Sequence, residues 1–108
     1  QALALLDDPA FVECALALAR RIVRERTGSD VERLEWAFRA CTARAPAASD
    51  SQALLALLRD ARAEFPDAAK AKERIALLEP GAVDAPELAA WASVATVLLN
   101  LDDTVVRN

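Results

Sequence analysis

Three times in this chain a small polar residue is followed, three positions on, by a side chain able to reach back to it. The three sites are Ser29-Asp-Val-Glu32, Ser49-Asp-Ser-Gln52 and Asp84-Ala-Pro-Glu87. This is the spacing of a capping box, in which the residues at the N-cap and N3 satisfy backbone N–H groups that a helix start leaves bare. A fourth start stands at Asp8-Pro9, an N-cap residue followed by proline at the first helical position. Stops match the starts. Thr27-Gly28 offers a glycine for the left-handed C′ position, and Pro46, Pro66 and Pro80 each disfavour helical dihedrals in the residue before them.

Between these signals the apolar residues recur at helical spacing. Phe11, Ala15, Leu18 and Ile22 form one stripe of a first full helix, with Val12, Leu16, Ala19 and Val23 beside it. Val31, Leu34, Phe38 and Cys41 mark the buried side of a second helix. Leu54, Leu58, Ala61 and Phe65 mark that of a third, starting at the Ser49 box. A weaker pattern from Ala68 to Leu78 predicts a fourth. Leu88, Trp91, Ala92, Ala95, Leu98 and Leu99 predict a fifth. Residues 1–6 read as an apolar stub, the end of an element that begins upstream. Composition agrees: alanine and leucine dominate, aromatics are 5% and only two glycines are present, so turns of a β-sandwich lack material. The expectation is a single all-α domain over residues 1–108. Its form would be an irregular bundle of about five helices, no sheet, with Trp91, Leu98, Phe38, Leu58 and Ile22 in its core.

A net charge of −4 and a pI near 4.8 argue against a nucleic-acid partner, which needs clustered Lys and Arg for phosphates. Arg20, Arg21, Arg24 and Arg26 close the first helix, where they complement the negative end of its dipole. No apolar run reaches the roughly 20 residues of a membrane span. The chain opens on Gln1 without a leader pattern, as an excised fragment or a mature product would. Histidine is absent, which removes imidazole triads, histidine-containing zinc sites and any local Cys-x-x-Cys-His haem attachment. The sequence thus supplies no catalytic, cofactor-binding or metal-binding constellation and calls for no cofactor within this fragment.

The remaining candidates are sites of interaction. Trp36 lies off the Val31–Leu34–Phe38 stripe, so it either faces outward as an anchor or lies beneath a loop or the stub at residues 1–6. Arg39 and Arg44 bracket the end of the second helix; they could clamp an anion, or bond carbonyls and pair with Glu35 or Asp50. Asn100, Asp102 and Asp103 could contribute oxygens to calcium, but the spacing is not that of an EF-hand. The reading favoured by helix electrostatics is that Asn100 ends the last helix and Asp102 or Asp103 caps the next element.

Three segments carry a resemblance: residues 1–13 (QALALLDDPAFVE), 38–46 (FRACTARAP) and 91–103 (WASVATVLLNLDD). Together and in this order they resemble the C-terminal part of a planctomycete domain of unknown function found in secreted, cytochrome-associated proteins. Residues 47–86 match only loosely. Asp7 stands where that family usually has asparagine, Ala43 where it often has glycine, and Trp36 where it tends to be polar. The resemblance implies an exported, extracytoplasmic parent, periplasmic or secreted, with upstream domains of the same chain as partners, a haem-bearing one among them. It brings no known reaction and no catalytic residue. In an exported protein Cys14 and Cys41, on adjacent antiparallel helices, could pair or could remain small buried hydrophobes. The leading functional expectation is a C-terminal structural and interaction module, which should expose an apolar docking patch. The alternatives are the non-catalytic wall of an active site in a haem-linked oxidoreductase or carbohydrate-acting enzyme, and an independent helical adaptor.

Overall fold

A computed structural model describes residues 9–25, 28–67, 69–70 and 85–107, the side chains of Pro9 and of residues 102–107 excepted. Among these residues all regular structure is helical. The elements are α1 (Pro9–Glu25), α2 (Asp30–Thr42), α3 (Ala48–Glu64) and α4 (Ala85–Arg107). The count is four where about five were expected. The helix predicted from Ala68 to Leu78 falls almost wholly outside the described residues, as do the stub at residues 1–6 and the caps at Asp8 and Asp84.

α4 organises the bundle. Its 23 residues reach about 34 Å at 1.5 Å per residue, and it packs against each of the other three helices. Its burial is correspondingly wide: Leu88, Ala89, Ala90, Trp91 and Ala92 are consecutive and all buried, followed by Val94, Ala95, Thr96 and Leu98. A helix buried on nearly every side is a core helix, not a surface one. The alanines let neighbours approach its backbone closely. α1 lies on it most extensively, along Val12, Ala15, Leu16, Ala19 and Ile22. The true seam of α1 therefore runs between the two predicted stripes, with Leu18 and Val23 at its margins.

α2 starts as predicted. Ser29 Oγ accepts from the Glu32 N–H at 3.2 Å, and the Ser29 N–H donates to Glu32 Oε1 at 2.8 Å, a complete capping box. Gly28 does not serve as a left-handed cap. A Cβ there would meet the Glu32 carboxylate, with its Cδ at 2.8 Å, so the glycine makes room for the box. Among the described residues the left-handed one is Ala43, at φ 62° and ψ 21°, whose N–H closes α2 by donating to the Arg39 carbonyl at 2.8 Å. Leu34, Ala37 and Phe38 are buried as a stripe. Val31, predicted to join them, stays 50% exposed because it sits in the first turn, ahead of where the stripe meets its neighbours.

α3 begins earlier than its predicted box. Ala47 is the N-cap and donates its N–H to Asp50 at 3.0 Å, so Asp50 is the N3 acid and Ser49 lies inside the first turn. Alanine offers no oxygen in return, and only half a box is made. The end follows the proline rule: Pro66 drives Phe65 to φ −116°, ψ 71°, outside the helical region. All four predicted stripe residues, Leu54, Leu58, Ala61 and Phe65, are buried. The five predicted core residues are also fully buried. Buried or half-buried hydroxyls inside helices are satisfied by the carbonyl four residues back: Thr42 to Phe38 at 2.7 Å, Ser93 to Ala89 at 3.2 Å and Thr96 to Ala92 at 2.9 Å.

Candidate functional site: a guanidinium between two helix starts

The densest polar constellation among the described residues joins three helix ends. Arg62, in the last turn of α3, lies beside the buried Ala61 and Leu58, at the edge of the apolar stripe. Its Nη1 and Nη2 donate to the two carboxylate oxygens of Asp30 at 2.7 and 3.0 Å. Its Nε donates to Glu87 Oε2 at 3.0 Å, and Nη2 makes a further, very short bond to Glu87 Oε1. Trp91, one turn along α4, donates its indole N–H to Glu87 Oε1 at 3.1 Å. One planar cation thus engages two carboxylates through both edges of its donor fork, a geometry lysine cannot supply.

The backbone favours the same arrangement. Asp30 and Glu87 lie in the first turns of α2 and α4, where helix dipoles are positive, and Arg62 lies in the last turn of α3, where the dipole is negative. The Arg62 bond holds the Asp30 carboxyl below its ordinary value of 3.8, against a smaller opposing effect of burial. Glu87 is held below 4.5, again mainly by Arg62, with the Trp91 N–H helping. Arg62 itself is pushed upward by the two carboxylates. All three groups are ionised near neutrality. Their side chains retain 29–37% exposure, so water still reaches the cluster's rim.

The residues singled out from sequence are placed differently. Arg44 is pinned by local contacts: its guanidinium lies 4.8 Å from the centroid of the Phe38 ring and 3.6 Å from Asp50, one of the two acids anticipated for it. Arg39 is exposed and gives its carbonyl to the α2 cap. Trp36 is half-buried against the edge of the core, with the Arg21 guanidinium 5.3 Å over its ring and Arg21 also 3.6 Å from Glu25. Asn100 does not end a helix: α4 continues to Arg107, so neither Asp102 nor Asp103 is the cap of a following element. Their side chains lie outside the described set, but the helical backbone already puts positions 100 and 102 on different faces, because neighbours two apart do not meet. The electrostatic penalty for acidic residues near a helix end is only about 0.3–1 kcal/mol each, too small by itself to force a stop at the polar run. Cys14 is exposed and Cys41 half-buried, and no disulfide joins them.

Sequence reasoning missed Asp30, Arg62 and Glu87 as a group. Each reads locally as an ordinary dipole or capping residue. Their partnership spans sequence separations of 32 and 25 residues, which no local pattern encodes. The usable signal was Arg62 itself, a cation abutting the Leu58–Ala61–Phe65 stripe where charge needs a partner. Among the described residues Val31 is the large hydrophobic that remains exposed, while Leu18, Val23, Trp36, Leu55, Leu57, Val97 and Leu101 are partly buried at the edge of the core.

The model of a family described as PSD1, a protein of unknown function (DUF1553), matches residues 1–58, just over half of the chain. The chain belongs to that family. The matched span of the DUF1553 chain contains α1, α2 and the first two resemblance segments, while the third, residues 91–103 within α4, lies beyond it. Ala43 falls inside the match and takes a backbone conformation that glycine adopts most readily. No curated protein and no solved structure matches the chain. No described helix is long and apolar enough to cross a membrane.

Proposed function

We propose that this DUF1553 chain is a structural and interaction module of an exported multidomain protein, contributing shape and contact surface with the chemistry lying elsewhere in the parent. The observation that carries the reading is the Arg62 cluster. The charged groups that the fold gathers most densely are committed to one another, and their carboxyls are driven further from the range useful for proton transfer at neutral pH. Such a cluster fixes the relative seating of α2, α3 and α4. The cytochrome-associated, extracytoplasmic setting and the docking against upstream domains of the same chain rest on the resemblance of the three segments. The Arg21-capped Trp36 edge between α1 and α2 is the contact surface we assign to that docking, since aromatic and arginine side chains are enriched where proteins meet.

Hydrogen exchange on the full gene product, wild type and Trp36→Ala, tests the proposal. Docking predicts faster exchange both around Trp36 and in the upstream domains of the variant. A change confined to α1 and α2 overturns it.

A further inference from the structure

We draw no further inference here: the strongest candidate, the surface patch that Trp36 and Arg21 form between α1 and α2, belongs to the docking surface already described, and nothing in the structure shows what else covers it.

Discussion

Replacing Arg62 with methionine removes the cation while keeping an unbranched apolar stem against Leu58 and Ala61. Four hydrogen bonds to carboxylates disappear. Bonds to charged groups contribute about 1.5–3 kcal/mol each when isolated, but these four share one donor group and are not additive. With side chains 29–37% exposed, Asp30 and Glu87 can recover water, so the loss falls between that of an exposed pair, about 0.2–1 kcal/mol, and that of a broken buried one, about 3–5. About 2 kcal/mol is the expected cost. For 108 residues the unfolding entropy near Tm is about 0.23 kcal/mol per degree, so Tm should fall by roughly 9 °C.

The pH dependence sharpens the test. Asp30 and Glu87 have folded pKa values below their ordinary 3.8 and 4.5, so their contribution is fully present above those values. It is lost as pH falls through the depressed folded values. The stability gap between wild type and Arg62→Met, measured by urea unfolding, should therefore be constant from pH 6 to 8 and should close below about pH 4. Adding Asp30→Asn and Glu87→Gln to the methionine variant removes the stranded charges and should restore part of the loss. A gap below about 0.5 kcal/mol at pH 7, or one that persists unchanged at pH 3, would refute the cluster's assigned role.

Local geometry sets three further outcomes. Ala43→Gly should raise stability by about 0.5–1 kcal/mol, because the left-handed conformation costs alanine about 1–2 kcal/mol and glycine's unfolded-state entropy returns only part of that; a lower Tm would contradict it. Ser29→Ala breaks the capping box at α2 and should cost about 1 kcal/mol by chemical denaturation, whereas Ser49→Ala, inside the first turn of α3, should cost markedly less. Titration with a thiol reagent should count two free thiols in the unfolded, unreduced protein, with Cys14 reacting faster than Cys41 in the native state. A count of zero would establish the bridge that the structure lacks.

What the chain determined alone is its helical character and most of its core. The spacing of Leu54, Leu58, Ala61 and Phe65 is a local property of a 3.6-residue period, and the Ser29 box is complete within four residues, so both are legible without any knowledge of packing. Two features needed the tertiary structure. The first is where α4 ends: electrostatics of residues 100–103 favour a stop by only about 0.3–1 kcal/mol each, and the helix, buried along Trp91, Val94, Ala95 and Leu98, runs on to Arg107. The second is the meeting of Asp30, Arg62 and Glu87. In sequence these are three ordinary residues near helix ends; only the seating of α3's last turn between the first turns of α2 and α4 makes them one cluster. Hydrophobic periodicity is written locally, whereas the partner of a charge is set by which helix ends the core brings together.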